Sequence, residues 1–383
     1  MKMKKLAALV LAGVLSIMAL AGCGFNADDT IATLGDQKIS AGLANFMIKY
    51  QKAAYDDVYV SYYGEKVWNM DFYGTGSTLA DDLKSSMMTT LHNLYTLKAH
   101  MDDYKVTLTD DEKKAISEAA KAFMKDNSEE ALKELGATEE YVEEMLTLYT
   151  IQNKMYEAIV VGADHEVKDE DANMRAYSLI SIGTTGYYDT KNQFVTYTDA
   201  EKEKVQETIK KFDEALDAEG ADFEKLAKEY LYEVKTGTYA KDNTSMDKDL
   251  KKAMDALKEG EISAAVKTEK TTYFVRIDKE TDEKATEENR KAIIEKRENE
   301  FYNKELEKLQ KEDGWTVDKK VVKKIDFHNL LTQKDPNAPK ETEKNTEKNT
   351  EKDTEKGTET STEKGTETES TETTEAVDGT EGK

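Results

Sequence analysis

The sequence is poor in residues that cross-link or interrupt a chain: its 383 residues hold one cysteine, two prolines and four histidines. A single thiol excludes an internal disulfide framework and a cysteine-pair zinc site. His92, His100, His165 and His328 are scattered, and no His-Glu-x-x-His motif occurs, so no metal site is expected. His92 and His100 stand eight residues apart, two turns along one expected helix and too far for one ion. The acidic run Asp242 to Asp249 lacks the glycine and spaced carboxylates of a calcium loop and reads as a solvated face. Phosphate-cradling glycine loops and nucleophile elbows are missing too, and no cofactor is expected. Positive charge is in deficit, with 55 Lys and Arg against 79 Asp and Glu, which argues against nucleic acid as a partner. Both prolines, Pro336 and Pro339, lie near the end, so nothing of that kind breaks the helical patterns before them.

A long apolar run occurs once, at the start. Met1-Lys2-Met3-Lys4-Lys5 precedes 16 apolar or small residues from Leu6 to Ala21, and Leu20-Ala21-Gly22-Cys23 follows. The run reads as an export signal rather than a membrane span. Its end resembles the bacterial lipobox, which implies a diacylglycerol thioether on Cys23 and cleavage before it. Several acyl chains on one terminus give stable attachment, each buried methylene contributing about 0.8 kcal/mol. The expected location is therefore the extracytoplasmic face of a bacterial cell membrane, of Gram-positive type. Loss of residues 1–22 removes three lysines and no acids and takes the formal charge from −24 to −27. At the other end, residues 340–383 are almost wholly Thr, Glu, Lys, Gly, Asn and Ser, with Thr-Glu-Lys recurring. Such a segment cannot offset its ordering entropy and is expected to be disordered, as a solubilising tail or a spacer.

Between these ends, Thr30 to Ser40 alternates around Gly35-Asp36 and predicts a hairpin. Ser40 caps a helix carrying Leu43, Phe46, Met47 and Tyr50, and helical patterns follow over 79–101, 109–127, 129–136 and 138–160. Thr109-Asp110-Asp111-Glu112 and Thr138-Glu139-Glu140 have the acids that a helix start favours. Aromatics continue through Tyr55, Tyr59, Tyr62, Tyr63, Trp68, Phe72 and Tyr73. They are open to two readings, as core or as a surface gripping unfolded segments, with 68–76 the expected exposed part. From Ala176 to Ile182 the pattern turns to strand, followed by helices over 199–219 and 223–232 and one ending at Leu257. A strand over 272–277, a charged helix over 286–311 and an alternating strand from Gly314 to Phe327 complete the reading.

Ala221-Asp222-Phe223-Glu224-Lys225-Leu226-Ala227-Lys228-Glu229-Tyr230 and Leu257-Lys258-Glu259-Gly260-Glu261-Ile262-Ser263, in this order between two strands, resemble phrases of parvulin-type peptidyl-prolyl isomerases. With the helical first third, the chain is similar to extracytoplasmic foldases of the PrsA and SurA type. The resemblance implies an α+β fold, a mainly helical SurA-N-like chaperone domain with an inserted small parvulin-like α/β module. The expected organisation is a signal at 1–22, a lipidated tether at 23–29, chaperone helices at 30–168, the parvulin-like module at 169–281, a returning helix and strand at 282–331, and the tail at 332–383. By alignment, Ser178 and Tyr273 stand where active parvulins carry histidines, and the glycine-rich loop retains only Gly237. Ser178 and Tyr273 then either supply hydroxyl contacts to a rebuilt isomerase pocket with Met254 and Phe274, or are ordinary strand residues. The expected function is that of a membrane-anchored foldase for newly secreted, unfolded polypeptides, with a homodimer as one possible assembly. The alternatives are a competent isomerase and a solute-binding lipoprotein, the latter opposed by the unbroken helical patterns of 40–160.

Overall fold

A computed structural model describes residues 25–331 other than 312 and 328. The signal segment, Cys23, His328 and the Thr/Glu/Lys tail lie outside the described residues. Strands β1 (Thr30–Leu34) and β2 (Gln37–Ser40) pair antiparallel around Gly35-Asp36. The Ser40 hydroxyl accepts the Leu43 N–H and starts α1 (Ala41–Tyr63). A 3-10 turn at Glu65–Asn69 leads to α2 (Leu79–Ala99), then α3 (Asp110–Asp126), α4 (Glu129–Leu135) and α5 (Glu139–Ile159). Every one of these α-helices opens on a Ser or Thr whose oxygen accepts an N–H of the first turn, at Ser40, Thr78, Thr109, Ser128 and Thr138.

After α6 (Asp169–Ala172) the chain enters β3 (Met174–Gly183), the ribbon β4 (Gly186–Tyr188) and β5 (Phe194–Thr196), and helices α7 (Asp199–Leu216) and α8 (Phe223–Glu229). Strand β6 (Lys235–Ala240), α9 (Lys248–Ala256), β7 (Val266–Lys267) and β8 (Thr271–Lys279) follow. The long α10 (Glu283–Gln310), β9 (Trp315–Val317) and α11 (Lys319–Lys323) end the described chain.

The fold is α+β. An antiparallel sheet ordered β6-β3-β8-β7 stands between α5 and α10, while β9 returns to pair with β1 in a second sheet ordered β2-β1-β9. The first and last elements thus share one core, in which Ile31, Phe46, Leu91, Leu148, Ile325 and Leu331 are buried. Each such side chain contributes about 1.5–3 kcal/mol on burial. A Cβ at position 42 of α1 would meet the phenol end of Tyr141 from α5, and Gly42 leaves that ring its room.

Strands β4 to β7 lie where the sequence reading placed loops, β6 in the stretch read as a glycine-rich loop, and two further elements differ. The alternating strand expected up to Phe327 stops at Val317, because the Asp318 carboxylate accepts the Lys320 and Val321 N–H groups and turns the chain into α11. Helix α8 ends at Glu229 rather than reaching Tyr232, since Leu231 takes a left-handed φ of 60° that no right-handed helix continues through.

The C-terminal segment is held by a buried ion pair. Lys52 and Asp56 side chains, one turn apart on α1 and 3% and 2% exposed, meet at 2.7 Å. Lys52 Nζ also donates to the Asn329 carbonyl at 2.8 Å. Asp56 accepts from Trp68 Nε1 at 2.8 Å and from the Leu331 N–H at 3.0 Å. Each ion therefore has its remaining hydrogen-bonding capacity engaged, which is the condition under which a buried pair is tolerated. Burial lowers the Lys52 pKa, and Asp56 opposes that shift.

Asp56→Ala would leave a buried, uncompensated ammonium and should cost about 3–5 kcal/mol, read as a lower urea midpoint for the helical assembly. A second expectation concerns acid. Glu112 accepts two hydrogen bonds from Lys154 Nζ, at 2.8 and 2.9 Å, and closes the capping box with Thr109. Those contacts, Lys154 first, hold its carboxyl below the ordinary range. A depressed carboxylate stabilises the fold fully above its ordinary pKa, and that contribution disappears as pH falls through the lower folded value. Glu112→Gln should remove this part of the acid sensitivity, measured as the slope of the thermal midpoint against pH.

Candidate functional site

Two surfaces gather the residues to which the sequence pointed. The first is an aromatic ledge on the C-terminal half of α1 and the turn after it. Tyr55, Tyr59 and Tyr63 follow at helical spacing, with ring centroids 5.6 and 6.4 Å apart. Phe72 folds back onto Tyr63 edge-on at 4.9 Å, Tyr73 lies 5.3 Å from Phe72, and Tyr62 lies 6.4 Å from Tyr63. The loop that returns Phe72 is held by Asp71, whose carboxylate accepts the Thr75 and Gly76 N–H groups at 2.9 Å. Tyr62 and Tyr73 are 80% and 61% exposed, and Tyr63, Val58 and Met70 are also exposed. Burial beneath this surface raises the Tyr59 hydroxyl pKa, with Tyr73 adding to the shift.

Trp68 does not belong to the exposed set. It is 2% exposed, donates its indole N–H to Asp56 and packs edge-on against Phe327 and Tyr59 at 5.4 and 5.9 Å. The expected exposed stretch therefore begins after Trp68, whose polar edge is satisfied inside.

The second surface is the central sheet, whose two faces separate the four pocket candidates. Ser178 lies opposite Arg276, and Ile180 opposite Phe274, whereas Tyr273 lies opposite Ser181. Cross-strand partners share a face and alternate residues change face, so Ser178 and Phe274 face α7 and α8 while Tyr273 faces α9. Packing agrees: Phe274 is buried with Phe212 and Phe223, and Met254 with Val275 and Ile277 beside Tyr273. The expected pocket of Ser178, Tyr273, Met254 and Phe274 is thus not assembled. Tyr273 and Met254 share one face, Ser178 and Phe274 the other.

Ser178 has a structural task. It is buried, and its Oγ donates to Asp278 at 2.7 Å. Asp278 in turn receives Arg276 Nε at 2.6 Å, and Arg276 holds Glu224 of α8 while lying 5.4 Å from the Phe223 ring centre. Arg276 lowers the Glu224 pKa. These contacts dock α8 onto the sheet.

The face shared by Tyr273 and Met254 also carries Tyr177, Leu179 and Tyr239. Tyr177 lies across Gly237, where a Cβ would come within 2.7 Å of its hydroxyl oxygen. The retained glycine thus accommodates a tyrosine ring, which meets Tyr239 at 6.0 Å. Arg175 secures the far side, donating to Tyr239 Oη at 2.9 Å and to the Met254 carbonyl at 2.8 Å, where α9 leaves carbonyls without helical partners. Burial raises the Tyr239 pKa. Chemically this face offers apolar side chains and phenols, with Arg175 and Asp255 bonded at the Tyr239 hydroxyl, and among the described residues no cluster able to hold a metal ion occurs. A cleft of about 430 Å³ between α2, α3 and α5, lined by Met101, Val106, Leu108 and Ile151 among others, contains none of these candidates.

Residues 184–291 match the family model of the PPIC-type PPIase domain. The parvulin resemblance carried by Ala221 to Tyr230 and Leu257 to Ser263 is borne out by this match. The PPIase match starts one residue after β3, so Ser178 lies outside it, and it extends into α10. Among solved structures, the chain is similar to the foldase protein PrsA of Lactococcus lactis at 16% identity, over 78% of this chain and 97% of that one, with a TM-score of 0.30. PrsA of Bacillus subtilis gives 19% identity over 78% and 98%, with a TM-score of 0.20. A structure described with the SurA-like chaperones of Campylobacter jejuni gives 11% identity over 76% and 99%, with a TM-score of 0.27. No curated protein matches the sequence.

Tyr177, Leu179, Tyr239 and Arg175 escaped the sequence reading of the PPIase domain. Period-two alternation from Tyr273 links it to Val275 and Ile277, but pairing with β3 alone brings in Tyr177 and Leu179. Ser178→Ala should cost about 1–2 kcal/mol through the lost buried hydrogen bond, measured by urea unfolding. It should leave any proline-limited refolding rate unchanged, whereas a role for Ser178 in isomerisation would require that rate to fall.

Proposed function

We propose that the protein is an extracytoplasmic foldase, anchored through a lipidated Cys23, that holds newly exported unfolded polypeptides on the aromatic ledge of its helical part. The observation that carries this reading is the exposed set Tyr62, Tyr63, Met70 and Tyr73 in a chain that also contains a PPIC-type PPIase domain. Exposed aromatics combine a large apolar contact area with polar tips, which suits broad and weak binding of extended segments. The domain organisation proposed with it has helices from 30 to 168, the PPIase module from 169 to 281, and a closing helix and strand from 282 to 331.

In this proposal holding is the main activity and isomerisation is slow. Rotation about the prolyl bond has a barrier of about 18–20 kcal/mol, and catalysis needs the twisted amide held in a partly dry pocket. On the Tyr273 face the space over Gly237 is taken by Tyr177, and Met254 of α9 is fully buried against the sheet. A second reading, a competent isomerase, has the family match in its favour and would act on the same face through the Tyr273 and Tyr177 hydroxyls.

The test uses the chain from Gly24 onward with an aggregating client and, separately, a proline-limited refolding substrate. Suppressed aggregation, weakened in a Tyr62→Ala/Tyr63→Ala/Tyr73→Ala variant, with little change in refolding rate, is the expected result. Catalysed refolding that disappears in Tyr177→Phe/Tyr273→Phe would establish the second reading. Unaltered aggregation would refute the proposal.

A further inference from the structure

The aromatic ledge has a charge pattern that its apolar character alone does not require. Within residues 55–82 the chain carries six acids, Asp56, Asp57, Glu65, Asp71, Asp81 and Asp82, against the single base Lys66. Asp56 is neutralised inside by Lys52, but Glu65, Asp71 and Asp81 are exposed around the tyrosines. Lys66 is exposed beside Glu65, and the other nearby cations, Lys52 and Lys84, are turned inward. Lys52 lies 5.4 Å from the centre of the buried Trp68 ring, and Lys84, itself buried, lies 5.0 Å from that of Phe327. Among the described residues, no lysine or arginine covers the rings of Tyr62, Tyr63 or Tyr73.

We infer that the ledge selects unfolded segments in which Arg or Lys flanks apolar residues. This rests on the foldase reading above and adds the chemistry of the client. The electron-rich face of a phenol attracts a guanidinium or ammonium placed over it, and exposed rings free of internal cations are available for that contact. The acidic rim draws cationic segments toward the rings within a Debye length, about 8 Å at physiological salt, and repels acidic ones. A client segment with an apolar centre gains contact area on Met70, Val58 and the ring edges, and its basic flanks gain the ring faces and the rim. Charge complementarity thus commits the surface to a basic and apolar polypeptide rather than to a second copy of this acidic chain.

The experiment measures fluorescence anisotropy of three labelled peptides that share one Leu/Phe/Val centre and are flanked by Arg, Ser or Glu. The full lipidated chain is held in nanodiscs of zwitterionic lipid, with empty nanodiscs as the blank. The Arg-flanked peptide should bind about tenfold more tightly than the Ser-flanked one, the Glu-flanked peptide more weakly than both, and the difference should shrink in 1 M salt, where screening acts within about 3 Å. Tyr62→Leu/Tyr73→Leu keeps apolar area and removes two ring faces, so it should lower Arg-flanked affinity more than Ser-flanked affinity and so lose most of the Arg preference. Glu65→Gln/Asp81→Asn should lower the salt dependence. Equal affinity for the Arg and Ser peptides overturns the charge selection while leaving the foldase reading intact. Failure to bind all three overturns both.

Discussion

The helical part of the molecule depends on the Lys52–Asp56 pair. Two ions removed from water are costly, and these are tolerated because Asp56 accepts from Lys52, Trp68 and the Leu331 N–H, while Lys52 also donates to the Asn329 carbonyl. Through those contacts one turn of α1 fixes both the indole beneath the aromatic ledge and the end of the described chain. Lys49 extends the attachment, bonding Glu134 of α4 at 2.9 Å, and Glu134 receives Asn329 at 2.7 Å. The exposed tyrosines therefore stand on a well-anchored floor, so the client proposed for them would not have to order that surface.

The central sheet imposes a different constraint. Its strands are covered on both sides, by α7 and α8 on one face and α9 on the other, and each face has its own core. Polar groups among them are occupied in docking those helices: Ser178, Asp278 and Arg276 secure α8, and Arg175 secures the end of α9. What remains for chemistry is the partly open phenolic patch around Tyr273 and Tyr177. This is why the aromatic ledge, rather than the sheet, carries the proposed function.

Helix α10 links the two parts. Arg290 donates to the Val167 carbonyl and pairs with Asp169 at 2.8 Å, while Arg297 donates to the Glu166 carbonyl at 2.7 Å and pairs with Asp164 at 2.9 Å. Asn289 adds a bond to the Ala172 carbonyl at 3.0 Å. The connection leaving α5 is thus strapped along a helix that itself packs Leu306 beside Leu97, Ile151 and Met155 of α2 and α5, with Phe301 packed against Gly162. Backbone carbonyls that a loop would otherwise leave to water are engaged by side chains of one continuous element.

Much of this was legible from residues alone, because it follows from local rules. The hairpin around Gly35-Asp36, the helices opening at Ser40, Thr109 and Thr138, the strand after Asn173 and the two parvulin phrases depend on spacing, capping and turn chemistry within a few residues. The α11 turn at Asp318 was legible in principle from its capping aspartate, but the alternating valines beside it suggested a strand. Tertiary structure alone decided which candidates meet. Strand alternation orders the faces within β3 and within β8, but their relative parity depends on a register between residues about 100 apart. That register is shifted by an irregularity between Ala176 and Tyr177, and a shift of one residue moves a side chain to the opposite face. So Ser178 faced away from Tyr273. Likewise an aromatic run announces area to be placed but not its side: Trp68 went inside because Asp56 and Phe327, far apart in sequence, converge on it, and Tyr62 and Tyr73 stayed outside because nothing in the described fold covers them.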